Sequence, residues 1–201
     1  MNIVEITELI RQRIKQDGMV NVIIAGATCS GKSTLSDKLV TTFNNEVTVT
    51  VIRQDDYFKD LSEIPKIAKG FLTDSINAFH SQEFKHDAEI LLTTGKTFIP
   101  RYDVSQNLRV AKDVQITSGI INIFEGLHTI SLLRNIEKSI LIFIDTPLDI
   151  CLERRVVRDT ELYNIPENRI RENFMECILP MYRSYVAPQL KMADAVIEGS
   201  G

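Results

Sequence analysis

The chain has 201 residues, of which 44% are hydrophobic and 25% charged, and this composition predicts one globular domain over residues 1–201 rather than a disordered chain. Its 23 basic and 27 acidic residues are evenly mixed, and the net charge of −4 argues against a nucleic-acid-binding face and favours a small-molecule partner. The three cysteines are far apart, which argues against a disulfide framework. The sequence shows neither a signal-peptide pattern nor an apolar run long enough to span a membrane, and we therefore expect a cytoplasmic protein. Homo-oligomerisation stays open.

The order of predicted elements indicates an α/β protein. Isoleucines at helical spacing, followed by a stop at Gly18, predict an N-terminal helix over residues 1–18. Apolar, β-branched runs then predict strands at residues 20–25, 47–52, 120–124, 140–144 and 195–198. Amphipathic stretches predict helices near residues 32–43, 81–94, 147–159 and 166–192. Apolar strands that alternate with helices are typical of a parallel sheet covered by helices on both faces.

Threonine and proline positions predict where the later helices begin and end. Thr146 is expected to cap the third of these helices, with Pro147 at its first position. Pro180 or Pro188 is expected to break the last helix, because proline lacks the backbone N–H that a helix interior needs.

The stretch from about residue 55 to 118 does not fit a simple crossover between two strands. It contains turn signals, isolated aromatic residues and the segment GKTFIPRYD. We therefore predict an acceptor-binding insertion over the carboxyl edge of the sheet, where open α/β folds bind their ligands.

Residues 26–33, GATCSGKS, match the phosphate-binding loop pattern G-x-x-x-x-G-K-S/T between a predicted strand and a predicted helix. In such a P-loop, backbone N–H groups and the helix N-terminus face phosphate oxygens, the lysine reaches the β- and γ-phosphates, and the hydroxyl binds Mg²⁺. A glycine-rich turn without function is the alternative, and the flanking elements argue against it. The sequence thus predicts ATP and Mg²⁺ as cofactors, with nucleotide contacts from Gly26, Ala27, Thr28, Cys29, Ser30, Gly31, Lys32, Ser33 and Thr34.

Acidic and basic residues near the predicted strand ends favour phosphoryl transfer. Glu125 follows an apolar strand and is expected to share Mg²⁺ with Ser33, although an ordinary polar strand end is the alternative. Asp55 and Asp56 follow another strand, and in extended chain one would face the acceptor while the other turns away. Three arginines cluster on a predicted helix and would neutralise phosphate charge: Arg154, Arg155 and Arg158. The alternative is that they form a solvated basic face. GTPase and transporter signatures are absent from the sequence, which favours a kinase for a small acceptor.

Several segments together resemble the uridine kinase-like/phosphoribulokinase family of P-loop kinases, with nicotinamide riboside kinases as close relatives. They are GATCSGKST, RQDDYFKD, INIFEGL, IPRYDVSQNLR, IDTPLDICLERRVVRD and LKMADAVIEG. The resemblance implies a five-stranded P-loop kinase fold with a helical lid at about residues 154–172. It also implies ATP-dependent phosphorylation of the 5′-hydroxyl of a nucleoside such as uridine or cytidine. The alternatives are a kinase for nicotinamide riboside or a sugar phosphate, and a nucleotide-binding regulatory module.

The resemblance also implies roles for individual residues. Asp55 would orient and deprotonate the acceptor hydroxyl, whereas Asp56 lies at a variable position. The other catalytic residues would be Lys32, Arg155 and Arg158. The acceptor would contact Phe58, Asp74, Asn77, Tyr102, Asn107, Arg109 and Arg155. Phe58 and Tyr102 would form aromatic walls for a planar base, with simple core packing as the alternative.

The sequence departs from the family pattern at three places that concern the acceptor and the lid. Val104 and Asn107 replace an aromatic residue and a histidine that read the base in pyrimidine-specific members. Asn77 replaces a ribose-binding aspartate, and Asp74 is the candidate substitute. The segment ELYNIP stands after the lid helix where the family carries an R-x-R, and whether Arg169 or Arg171, farther along the chain, completes the lid stays open.

Overall fold

The computed structural model describes residues 1–68, 70–104 and 106–199. The strands, in chain order, are β1 (Val20–Gly26), β2 (Val49–Arg53), β3 (Lys66–Ile67), β4 (Gly70–Phe71), β5 (Lys96–Asp103), β6 (Leu108–Thr117), β7 (Ile121–Glu125), β8 (Ser139–Asp145) and β9 (Ala195–Glu198). The helices are α1 (Ile3–Asp17), α2 (Lys32–Phe43), α3 (Ser81–Thr94), α4 (Thr129–Leu133), α5 (Leu148–Tyr163), α6 (Glu167–Asn173) and α7 (Leu179–Met181).

Five of the strands form one parallel sheet in the order β2-β7-β1-β8-β9, which confirms the predicted α/β fold with a five-stranded parallel sheet. Successive residues of β1 point to opposite faces: Ile23 belongs to one hydrophobic cluster, and Val22 and Ile24 belong to another. Both faces are therefore buried, which explains why the strands are continuous apolar runs.

Capping interactions determine where several helices begin and end. Asn2 and Glu5 form a capping box at the start of α1, and Gly18 ends that helix with a φ of 75°. Helix α5 begins at Leu148, and its N-cap is Pro147 without a side-chain cap. The expectation that Thr146 caps this helix is wrong, because its hydroxyl donates to the Ser30 carbonyl in the P-loop at 2.8 Å.

The last predicted helix is interrupted differently from the expectation. Wider π-type turns at Phe174–Ile178 and Tyr182–Val186 flank α7, and Pro180 lies within α7 without ending the helical path. A 3₁₀ segment, Ala187–Met192, contains Pro188 and leads into β9. The hydrogen-bond spacing therefore changes along the segment while the helical course continues. Among the described residues, no helix is both long enough and apolar enough to cross a membrane.

The segment between β2 and β7 contains the β3–β4 hairpin, α3 and the β5–β6 hairpin. Its core residues belong to the same hydrophobic cluster as the sheet residues Ile23 and Phe124. A buried polar joint fixes the long hairpin to α3: the Tyr57 hydroxyl donates to Asp87 at 2.9 Å, and Lys112 donates to the other oxygen of the same carboxylate. The hydrophobic cluster holds the insertion against the sheet, and the polar contacts join elements within the insertion.

Candidate active site

A cavity of about 920 Å³ lies at the carboxyl edge of the sheet. Its walls come from the loop after β1, the segment after β2, the end of β7, α5 and the residues at the end of β9. Open α/β folds bind ligands at this edge because several loops converge there. The cavity therefore joins the predicted P-loop to the predicted acceptor-binding insertion.

The loop after β1 has the compact geometry that phosphate binding requires. A Cβ at Gly26 would lie 2.7 Å from the Ile144 carbonyl oxygen, and Gly31 has a φ of 105° at the start of α2. Lys32 Nζ donates to the Ala27 carbonyl at 2.7 Å, across the loop. Residues 28–34 line the cavity, whereas Gly26 and Ala27 lie outside its lining. The loop can therefore present N–H groups and one ammonium group to an anion.

Side chains of α5 brace this loop from the other side. Arg154 donates to the Cys29 carbonyl and Arg155 donates to the Thr28 hydroxyl, both at 3.3 Å. Asp159 accepts hydrogen bonds from Arg155 at 3.2 Å and from Arg158 at 2.7 Å. Sequence reasoning assigned no role to Asp159, although its spacing of four from Arg155 on a helix was a usable signal. All three arginines line the cavity.

The end of β7 carries a carboxylate suited to a hard metal ion. The Ser33 hydroxyl donates to Glu125 Oε1 at 3.0 Å, and Arg53 Nε lies 3.3 Å from the same oxygen. Glu125 is only 4% exposed, and burial raises its pKa; the charge of Asp55 adds to this effect, whereas Lys32, Ser33 and Arg53 oppose it. Sequence reasoning missed Arg53, which is the direct neighbour of Glu125 in the parallel register of β2 and β7.

Both aspartates after β2 line the cavity. The expectation that one of the two turns away is wrong, because residues Gln54–Tyr57 form a 3₁₀ turn and the alternation of an extended chain does not apply. Asp56 Oδ2 lies 3.7 Å from Arg101. Burial raises the pKa of Asp56, and Arg101 and the backbone of Tyr102 oppose the shift.

Gln54, which sequence reasoning also missed, joins the ends of β2 and β7. Its side chain is fully buried, and its Oε1 accepts a hydrogen bond from the His128 backbone N–H at 2.9 Å. A Cβ at Gly126 would lie 2.5 Å from the same oxygen and closer still to the Cβ of Gln54. Gln54 and Gly126 directly adjoin Asp55 and Glu125 in the sequence, so this close contact lies beside the two acids.

His128 is fully buried beside this contact. Neither of its ring nitrogens has a hydrogen-bond partner within the described ranges, and the ring packs edge-on against Phe79 and Tyr185. Burial lowers the pKa of His128 to about 4; the backbone of Asp74 opposes the shift, and the charge of Lys32 adds to it. The side chain is therefore a neutral imidazole at neutral pH.

The part of the cavity made by the insertion has an aromatic wall and a buried carboxylate. The Phe58 ring centroid lies 5.5 Å from that of Tyr102 and 4.2 Å from that of Phe79. Asp74 is 4% exposed, accepts a hydrogen bond from Thr73 at 3.2 Å and lies 3.8 Å from Arg155. Burial raises the pKa of Asp74, and the charges of Arg155 and Lys32 oppose the shift.

Comparison with known sequences assigns the family. The profile of the phosphoribulokinase/uridine kinase family matches residues 22–200 of this chain. The chain belongs to this family. A uridine kinase of Tolumonas auensis is 35% identical over 192 residues, which cover 89% of this chain and 86% of that protein. A uridine kinase of Pectobacterium atrosepticum is 31% identical over 188 residues, with the same two coverages.

Solved structures show the same fold at lower sequence identity. A putative fructose transport system kinase from Silicibacter has a TM-score of 0.76 at 18% identity and covers 98% of this chain and 99% of its own. A possible uridine kinase from Bacillus stearothermophilus has a TM-score of 0.64 at 17% identity, with coverages of 94% and 99%. Membership of the phosphoribulokinase/uridine kinase family makes this chain a P-loop kinase for a small alcohol.

Several residues expected from the likeness to this family lie away from the cavity. Asn77 is exposed on a 3₁₀ turn outside the lining. Arg109 donates from its side chain to Glu83 at 2.7 Å and from its backbone to Asp60 at 2.8 Å, and it does not line the cavity. By contrast, Asn107 and Val104 at the tip of the β5–β6 hairpin do line it.

Neither arginine considered for completing the lid lies at the cavity. Arg171 binds both carboxylate oxygens of Glu153, at 2.6 and 2.7 Å, and also donates to Glu167 at 2.8 Å. Arg169 is exposed on α6 and is not part of the lining. In the part of the chain that the structure describes, the arginines that line the cavity therefore all come from α5.

Proposed function

We propose that this P-loop kinase transfers the γ-phosphoryl group of ATP to the 5′-hydroxyl of a nucleoside, with Mg²⁺ bound by Ser33 and Glu125. The observation that supports this most directly is a single cavity with the P-loop at one end, a pair of aromatic rings at the other and Asp55 among its lining residues. The curated relatives named as uridine kinases agree with a nucleoside acceptor.

The donor atoms at the end of β7 fit Mg²⁺. Ser33 and Glu125 offer one hydroxyl oxygen and carboxylate oxygens, which are the ligands that this hard cation prefers. Within the described ranges there is no cluster of three or more His, Cys, Asp or Glu side chains that could hold a metal alone. This agrees with an ion that is completed by substrate phosphates and water. Bound Mg²⁺ would neutralise charge on the phosphates.

The residues of the chain have distinct tasks in the proposed reaction. The P-loop N–H groups bind the phosphates, and Lys32 exchanges its bond to the Ala27 carbonyl for a phosphate oxygen. Arg155 and Arg158 neutralise charge that develops on the transferred group. The acceptor hydroxyl gives its proton to Asp55, its oxygen bonds to phosphorus, and ADP leaves. A carboxylate is a weak base toward an alcohol, so orienting the hydroxyl is the main contribution of Asp55.

The proposed acceptor contacts lie in the insertion. The aromatic pair Phe58 and Tyr102 would stack against a planar base, and Asp74 would accept hydrogen bonds from sugar hydroxyls. Asn107 at the hairpin tip could donate or accept at the edge of the base. Asn77 and Arg109 do not take part in this proposal, because neither lines the cavity.

The test is ADP release from ATP and Mg²⁺ with a panel of uridine, cytidine, other nucleosides, nicotinamide riboside and ribulose 5-phosphate. We expect a nucleoside to stimulate release, and Asp55→Asn to lose most turnover while ATP still binds in a calorimetric titration. Asp113→Asn is the matched control, because this exposed residue belongs to the insertion but not to the cavity lining. Near-normal kcat in Asp55→Asn contradicts its role, and stimulation by no acceptor favours a regulatory module.

A further inference from the structure

The insertion differs from the rest of the cavity in the charged groups that it contributes to the lining. Lysines and arginines that line it come from the P-loop, α2 and α5, where phosphates are expected. The insertion contributes three acids to the lining: Asp55, Asp56 and Asp74. In the part of the insertion that the structure describes, no lysine or arginine lines the cavity. In its described part, the insertion therefore adds only negatively charged groups to the lining.

The cations near the acceptor end are already paired with acids. Arg101 lies 3.7 Å from Asp56, and its side chain is 51% exposed. Arg155 lies 3.8 Å from Asp74 and also binds Asp159. An acceptor with a phosphate or carboxylate at its far end would have to break such pairs or lie unpaired beside the aspartates. Like charges at short range in a partly buried site repel strongly.

Two further features favour an acceptor without negative charge. The faces of Phe58 and Tyr102 carry the negative lobes of their ring quadrupoles, which attract cations and repel anions. Burial raises the pKa of both Asp56 and Asp74, and the neighbouring cations only partly oppose this shift. In the free protein, each carboxylate is therefore less stabilised in its charged form than it would be in water. A neutral polyhydroxyl compound can donate hydrogen bonds to these acids, and a cationic base adds an attractive charge.

We propose, on the basis of the nucleoside kinase function above, that the acceptor end selects by charge: it accepts an uncharged or cationic acceptor and rejects one with a phosphate or carboxylate. Asp56 contributes most directly to this selection, because it lies next to the aromatic wall and its only paired cation among the described residues is the half-exposed Arg101. The selection distinguishes nucleosides from sugar phosphates within one fold.

Pairs of acceptors in which one member carries a carboxylate that the other lacks provide the test. Uridine is compared with 5-carboxyuridine, nicotinamide riboside with nicotinic acid riboside, and ribitol with ribonate, by ADP release with ATP and Mg²⁺. We expect kcat/KM to fall at least about tenfold with each added carboxylate, which corresponds to about 1.4 kcal/mol. Asp56→Asn should recover about threefold or more for the anionic member, and Asp113→Asn should recover nothing.

Each outcome separates this inference from the proposed function. Nucleoside turnover with equal use of the carboxylated compounds overturns charge selection and leaves the nucleoside kinase intact. Turnover of ribitol but of no nucleoside contradicts the nucleoside function and retains charge selection if ribonate is rejected. Preference for ribulose 5-phosphate overturns both. If nothing is phosphorylated, the affinities of the same compounds are measured by calorimetry in the presence of ADP and Mg²⁺. Equal affinities within each pair, or no binding by any compound, overturn the inference.

Discussion

Lowering the pH from 7.5 to 5 is expected to destabilise this fold through His128. An imidazole in the unfolded chain has a pKa of roughly 6.5, and burial lowers the folded pKa of His128 to about 4. Between these values the unfolded chain binds a proton that the folded protein does not, so stability is present above pH 6.5 and is lost as the pH falls. The pH of 5 lies about 1.5 units below the unfolded pKa. The free energy of unfolding should therefore be about 2 kcal/mol lower at pH 5 than above pH 6.5.

Urea unfolding of the wild-type chain and of His128→Gln at the two pH values measures this effect. The wild type should lose about 2 kcal/mol more than the variant between pH 7.5 and 5. Asp74, whose raised pKa has the opposite effect on stability, titrates in both proteins and cancels in the difference. His86→Gln is the control, because His86 is exposed on α3. An equal loss in wild type and His128→Gln would refute the reasoning.

Two substitutions probe the contacts that hold the site. In Gly126→Ala, the new methyl group overlaps Gln54. We therefore expect the free energy of unfolding in urea to fall by about 1–3 kcal/mol, and kcat to fall by a larger factor than KM rises. A normal kcat would contradict the role of this contact. In Tyr57→Phe, the fully buried Asp87 loses the hydrogen bond from the hydroxyl at 2.9 Å. We expect the free energy of unfolding to fall by about 1–3 kcal/mol. An unchanged unfolding midpoint would show that Lys112 alone is a sufficient partner for Asp87.

The sequence predicted the elements of the sheet because each strand is a local apolar run and both faces are buried. It also predicted the P-loop, in which glycine and lysine positions encode one local geometry. The placement of β7 between β1 and β2 was not predicted, because strand order depends on contacts between residues far apart in the chain. Arg53 was missed for the same reason, since its neighbour Glu125 follows only from that order.

Other site features depend on backbone conformation that alternation rules do not give. Asp56 faces the cavity because a 3₁₀ turn replaces the expected extended chain after β2. Gln54 and Gly126 form a contact across two strand ends, and a single sequence gives no signal for which glycine a buried side chain will meet. The family resemblance gave Asn77 and Arg109 as acceptor contacts, and the described structure has both outside the cavity lining.

The strand order also separates reaction chemistry from acceptor choice along the chain. β1, β7 and β2 are adjacent, and neighbouring strands lie about 4.8 Å apart, so the P-loop, Glu125 and Asp55 are held by the sheet itself. The acceptor end is instead built by the chain that leaves the sheet after β2 and returns at β7. Exchanging the distal part of that excursion, beyond Asp55 and Gln54, would change what is phosphorylated without moving the groups that transfer the phosphate. One sheet edge could in this way support many acceptors.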